Sequence, residues 1–255
     1  MRIFFTFIFI INFIIYSQPI EIAFYDAGLL YHDGIGIDKD VIKELSKRTG
    51  IEFKETKKPR ARIWGELEEG ILTMTVSGIQ NEARDKFAYF IPYIAQKNMA
   101  IITKGSLKKY KTLDDFVKNK KVKIAVVRGF VHGAKYDKAI ELLKKENRVS
   151  EVSSIDTLYK MMNFTNDRVD LILGLPVFYN YHLKKLKMED KVDIIDWDIN
   201  GPNIKHCLVL SKKLINIETY NKLNSAINQM KSDGTLKKIY LKYLSESEVN
   251  EALKF

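Results

Sequence analysis

A single cysteine, Cys207, stands in the 255 residues of this chain. No internal disulfide can form, even in an oxidising compartment. Its setting, KHCLVLS, reads as a strand and predicts a buried, inert thiol. Histidine is nearly as scarce. His32, His132, His182 and His206 share no ligand spacing with one another or with Cys207, so no metal site is expected, and no cofactor either. Past the N-terminus no stretch is apolar enough to cross a bilayer, which takes about 20 residues. An internal repeat and a low-complexity linker are also missing.

Acidic side chains are outnumbered, 32 against 42 Lys and Arg, for a formal charge of +10. A basic balance invites a nucleic-acid reading. The lysines argue against it, because they are spread through helical segments, as in Lys108-Lys109, Lys120-Lys121 and Lys184-Lys185. They read as solvated helix faces with a general pull on anions. A monomer without a nucleic-acid partner is expected.

The N-terminus reads MRIFFTFIFIINFIIYSQPIEI. Arg2 precedes an apolar run from Ile3 to Ile15 broken only by Thr6 and Asn12. A positive start, a short apolar middle and the small Ser17 predict a secretory signal peptide over residues 1–17; an uncleaved signal anchor is the alternative. The mature protein is then exported and soluble. What remains is long enough for two small lobes or one large domain.

That remainder alternates strands and helices. IEIAFYD (20–26), IEFKET (51–56), LTMTVSG (72–78) and NMAIITK (98–104) read as strands. Between them lie a helix over 38–49, with Asp38 as N-cap and Gly50 as stop, and another over 60–69. The second half repeats the pattern. VKIAVV (122–127), VDLILG (169–174), KVDIID (191–196) and KHCLVLS (205–211) are strands. Helices follow Gly133, Ser154 and Pro176, the last residue at home in a first helical turn. Two terminal helices are separated by Asp233-Gly234. Strands separated by helices predict mainly parallel sheets flanked on both faces. Ligands of such sheets bind at strand carboxyl ends, beside helix N-termini. Residues 25–38, 77–84 and 128–133 occupy those ends.

Read in order, five segments resemble the extracellular solute-binding proteins of the polar amino-acid class (family 3). GIDKDVIKELSKRTGIEF resembles that family's GFDVDLAKALAKRLGVKV. SGIQNEARDKFAYFIPY resembles GITxTPERxxxxDFSxPY, with one residue fewer between glycine and arginine. The stretch from Phe116 to Gly129 is similar to LKGKKVGVQRG, DRVDLILG to GRVDAVVGD, and MKSDGTLKKIYLKYL to LKADGTLAKIYEKWL. The similarity spans Ile20 to Leu244.

The resemblance implies an α/β, two-lobed, type 2 periplasmic-binding fold with the ligand cleft between lobes. Lobe 1 would comprise 19–100 plus 207–245, lobe 2 101–206, and 246–255 a C-terminal tail. The chain would cross near Ile101–Thr103 and Lys205–Cys207. It also implies a periplasmic binding protein, not an enzyme, that captures an anionic or zwitterionic small solute by hinge closure and hands it to a membrane ABC permease. Two alternatives share the fold: an enzyme resembling cyclohexadienyl dehydratases, with His132 a weak general-acid candidate, and a sensory ligand-binding module.

Residue by residue, Arg84 matches the family arginine that pairs with a ligand carboxylate, for which a guanidinium fork is suited. The competing reading pairs Arg84 with Glu82 or Asp85. Gly78 and Ile79 lead into that loop as backbone donors, and Gln80 stands near the family's threonine. Gly129, Phe130 and Val131 match the second-lobe loop, where glycine permits close approach and the next helix offers an N-terminal anion site. Leu175 stands where amino-acid binders carry an aspartate for the ligand ammonium. Leucine accepts no hydrogen bond, and an unpaired buried ammonium is costly. Tyr25 or Tyr31 is the expected aromatic wall, and Asp26 a replacement acceptor. Arg60, Arg62 and Trp64 of PRARIW are expected to line the cleft, favouring an anionic solute, or to serve as helix-entry charge with Trp64 in the core.

Overall fold

A computed structural model describes residues 18–163 and 169–255; the signal-peptide expectation for residues 1–17 lies outside them. The chain first lays down β1 (Ile20–Phe24), α1 (Ile37–Thr49), β2 (Phe53–Lys57), α2 (Arg60–Glu69), β3 (Met74–Gly78), the short α3 (Glu82–Asp85) and β4 (Ala88–Gln96). In α1 the buried set Ile37, Val41, Ile42 and Leu45 faces the sheet, and Gly50 ends the helix in the left-handed conformation at φ 69°. Gly36, not Asp38, is the N-cap. Asp38 lies inside the first turn and points into the lobe, where buried hydroxyls take up its carboxylate.

A second set follows: β5 (Met99–Thr103), α4 (Leu113–Lys118), β6 (Ile124–Val127), α5 (Ala134–Lys145), β7 (Val149–Val152), α6 (Ile155–Asn163), β8 (Leu171–Gly174), α7 (Pro176–Leu186) and β9 (Val192–Ile195). The chain then returns through β10 (Ile204–Ser211) to α8 (Ile217–Ser232), α9 (Thr235–Tyr240) and α10 (Glu246–Ala252).

Among the described residues the strands form two five-stranded sheets, ordered β2-β1-β3-β10-β4 and β7-β6-β8-β5-β9. β1 runs parallel to β2 and β3, and β6 parallel to β7 and β8. β10 is antiparallel to both its neighbours, as is β5 to its own. Each sheet thus has one strand running against the other four. In both cases it is the strand by which the chain enters that lobe from the other. The molecule is a two-lobed α/β protein.

The crossings fall at residues 97–98 and 196–203, slightly before Ile101–Thr103 and Lys205–Cys207. Ile101 and Ile102 already pair with β8, and Lys205 already pairs with Ala95 of β4. Residues 246–252 of the expected tail form α10, opened by a capping box between Ser245 and Glu248. Glu248 also accepts from Tyr179 at 3.1 Å and Asn180 at 2.9 Å on α7, so the end of the chain grips the second lobe. On the other side of α7, the Leu29 N–H donates to the Val177 carbonyl at 2.9 Å. Gly28 permits this approach, since a Cβ there would meet the Val177 oxygen at 2.4 Å. No helix of the described residues is long and apolar enough to cross a membrane.

Candidate functional site

The lobe 1 wall begins with a strained turn. β3 is wholly buried, and at its carboxyl end Ser77 adopts φ 52°, a left-handed conformation that non-glycine residues rarely hold without support. The support is Asp38. Its carboxylate accepts from Ser77 Oγ at 2.9 and 3.0 Å and from Tyr93 Oη, while Tyr93 Oη also receives the Ser77 N–H at 3.1 Å. Burial raises the Asp38 pKa to about 7, against the opposing pull of the Tyr93 and Ser77 hydroxyls. The turn redirects the chain, so that residues 79–84 leave the sheet toward the other lobe.

Gly78 comes next. A Cβ there would meet Val209 Cγ2 at 2.2 Å and the Trp64 ring at 3.1 Å. Glycine therefore lets the Trp64 indole lie against the strand end, and Arg84 stacks on that indole with Cζ 3.7 Å from the ring centroid. Arg84 Nη1 donates to the Ile79 carbonyl at 2.6 Å, and its backbone N–H is capped by Asn81 Oδ1 at 2.9 Å. Among the described residues no carboxylate lies within salt-bridge distance of Arg84; Asp85 instead accepts from Gln80 at 2.8 Å. Burial, and then the charge of Arg60, lower the Arg84 pKa from its ordinary value. Arg60 is likewise without an acid among the described residues. It donates to Tyr25 Oη at 2.8 Å and lies over the Tyr25 and Phe130 rings at 4.9 and 5.5 Å.

Both guanidinium groups face a cavity of ≈ 470 Å³ between the lobes, within the range of small-molecule sites. The opposite wall is apolar: Leu158 of α6, Leu173 at the end of β8, Leu175 and Phe178 at the start of α7, and Ile155. Leu175 is the N-cap of α7 and is 5% exposed. Two polar groups of this cavity stand without side-chain or backbone partners among the described residues: Tyr159 Oη and both ring nitrogens of His206, in residues 1% and 2% exposed. Burial, then the Arg60 charge, lower the His206 pKa to about 4, with a smaller opposing pull from the Ser77 carbonyl, so the ring is neutral. Gly174 makes room for Tyr159, because a Cβ there would sit 2.3 Å from its hydroxyl.

A second cavity of ≈ 700 Å³ adjoins the first and shares Arg60, Val127, Phe130, Ser153 and Ile155 with it. Tyr25 and Asp26 line this one instead. Asp26, His32 and Asp33 bring three possible metal-ligand atoms together. The Lys57 ammonium, 2.8 Å from Asp26 and 3.8 Å from Asp33, already occupies their field.

The structure brings Trp64, Ile79, Gln80, Arg84, Gly129, Phe130, Val131 and Leu175 to one cavity. Three expectations are corrected. Tyr31 is buried in the core, stacked on Phe24 at 4.6 Å. Arg62 points away and pairs with Glu66 at 2.6 Å; two positions from Arg60 on a helix, it faces another side. Gly78 acts beneath Trp64 and not as a ligand donor. The second-lobe loop also spends donors on itself: the Phe130 N–H goes to Val127 O at 3.1 Å and the His132 N–H to Asp137 at 3.0 Å. Tyr159, His206, Leu158 and Phe178 were not expected. No local pattern marks them, since each reaches the cavity only through the packing of separate elements.

A two-lobed α/β molecule with its cavity between the lobes, at the carboxyl ends of strands from both sheets, is built as a ligand trap. Residues 19–246 match the family model for bacterial extracellular solute-binding proteins, family 3, and the chain belongs to that family. Similar solved structures include an ancestral arginine-binding protein bound to arginine (21% identity, 90% of this chain and 99% of that one, TM-score 0.70). The GluR0 ligand-binding core from Nostoc punctiforme in complex with L-glutamate matches at 16% identity, 89% and 99% coverage and TM-score 0.69. The ancestral amino acid-binding protein AncCDT-1, a precursor of cyclohexadienyl dehydratase, matches at 22% identity, 89% and 96% coverage and TM-score 0.69. Among curated proteins nothing matches.

Proposed function

We propose that this protein is an exported, periplasmic binding protein that captures a small carboxylate-bearing solute between its lobes and presents it to a membrane permease. The observation that carries the reading is Arg84: stacked on Trp64, half withdrawn from water and without an acidic partner among the described residues. A guanidinium held in this way is preorganised for bidentate pairing with a carboxylate. Amino-acid-binding neighbours of the same fold support a small organic acid as cargo, although fold alone does not assign a ligand.

Binding without turnover is the preferred reading. General acid catalysis needs a positioned proton donor. Among the described residues no Asp or Glu lines the ≈ 470 Å³ cavity, His206 is held neutral, and His132 is not among the lining residues. Incubation with prephenate and arogenate is expected to leave both unchanged. The binding reading is tested by calorimetry against amino acids and other small carboxylates. Arg84→Ala is expected to cost roughly 2–5 kcal/mol of affinity, because truncation leaves a buried carboxylate unpaired. Unchanged affinity in that variant sinks the assignment.

A further inference from the structure

We infer that the solute is an amine-free organic dianion, two acidic groups on a short carbon skeleton, an inference that rests on the carboxylate reading above. The argument is a charge inventory. Arg60 and Arg84 face the ≈ 470 Å³ cavity, Arg128 stands at its rim with its side chain 74% exposed, and among the described residues no Asp or Glu lines it. Neither inner arginine is paired with an acid among the described residues. Arg84 reaches only a backbone carbonyl, and Arg60 only the Tyr25 hydroxyl. Two guanidinium groups in one partly desolvated space call for two negative charges.

Among the described residues no unmatched carboxylate faces this cavity to receive an ammonium. The acids of the adjoining cavity are already matched, Asp26 with Lys57 at 2.8 Å and Asp156 with Lys160 at 2.5 Å and Lys185 at 3.6 Å. Asp38 is sealed behind Ser77, 1% exposed, and engaged by Ser77 and Tyr93. The carbonyls at this wall are also engaged, Ile79 O by Arg84 and Ser77 O by Tyr25 at 3.0 Å. At the N-terminus of α7 stands Leu175, whose side chain accepts nothing. A positive group here would meet like charges, with no anion to offset the loss of its hydration.

The two unpartnered groups fit the same ligand. Tyr159 Oη can donate to an acid oxygen, and neutral His206 offers one N–H donor beside one acceptor nitrogen suited to a hydroxyl or a protonated acid. They complement a second carboxylate, or a keto or hydroxyl oxygen beside it. Leu158, Leu173 and Phe178 meet the carbon skeleton.

Calorimetry on the purified protein with acids matched in skeleton separates the parts of this inference. Succinate is compared with aspartate and butyrate, and glutarate with glutamate and pentanoate. The better diacid is expected to bind at least tenfold more tightly than its amino twin and than its monoacid twin. Arg60→Gln is expected to bring the diacid down to the monoacid level. Leu175→Asp is expected to close the gap between diacid and amino acid, and aspartate suits that helix-capping position. An amino acid that binds as tightly as its amine-free twin overturns the exclusion of the amine; a monoacid that does so overturns the charge count. If the amino acids bind best and depend on Arg84, only this inference falls. If none of the six acids binds, the carboxylate reading falls with it.

Discussion

The two walls of the cavity are built on opposite principles. The lobe 1 wall is polar and braced from behind: Asp38 and Tyr93 hold Ser77 in a strained conformation, and Gly78, Trp64 and Arg84 stack in sequence upon that turn. The lobe 2 wall is apolar, with Leu158, Leu173, Leu175 and Phe178 presenting no charge. On the proposed function, charge recognition falls mainly to Arg60 and Arg84 of one lobe and shape mainly to the other. A carboxylate that engaged lobe 1 first would then leave the second lobe to close over it and exclude water, which would strengthen the ion pair.

Perturbing each wall separately tests this division. The largest effect is expected at the brace. Asp38→Ala leaves the buried hydroxyls of Ser77 and Tyr93 without their acceptor, at about 1–3 kcal/mol of stability each. The same carboxyl makes stability depend on pH. Burial raises its pKa in the folded protein from 3.8 to about 7, so across that window the folded state holds a proton that the unfolded chain has lost. Stability is then expected to fall as pH rises from 3.8 toward about 7 and to level off above it. Thermal midpoints against pH, wild type beside Asp38→Asn, check this; an equal slope in both proteins removes Asp38 as its source.

Gly78→Ala ranks next. The added methyl group must displace Val209 or Trp64, at roughly 1–3 kcal/mol of stability. Solute affinity is expected to fall with it, because the platform under Arg84 shifts. Intact affinity in a destabilised Gly78→Ala protein separates the stack from binding. Gly129→Ala tests the opposite wall. Nothing lies within 4 Å of its would-be Cβ, and only its φ of 76° penalises a side chain, so a cost of about 1–2 kcal/mol in stability is expected with little change in affinity. Arg62→Ala is the smallest change, within about 0.5 kcal/mol for stability and neutral for binding. It is two residues from Arg60 and exposed, so a measurable loss of affinity places α2 in a different rotation.

Much of the fold was legible because its signals are local. Apolar spacing in α1, the glycine stop at Gly50, and the buried runs of β3 and β8 each report a neighbourhood of a few residues. Arg84 was legible through resemblance, and Arg60 and Trp64 through the basic, aromatic setting of PRARIW. Which of Arg60 and Arg62 faces the cavity depended on where α2 begins and how it is rotated, and composition carries no such information. The α10 grip on α7 escaped for the same reason: Glu248 and Tyr179 lie 69 residues apart.

Sequence alone thus determined the alternation of strands and helices, the lack of internal disulfides, and an arginine expected to meet an anion. Only the tertiary structure decided that this arginine has no acid beside it among the described residues and that Arg60 stands with it. It also decided that Leu175, Tyr159 and His206 meet in the same space. Charge balance in a cavity is a property of distances between remote segments. It exists only once two sheets and their helices have been packed against each other.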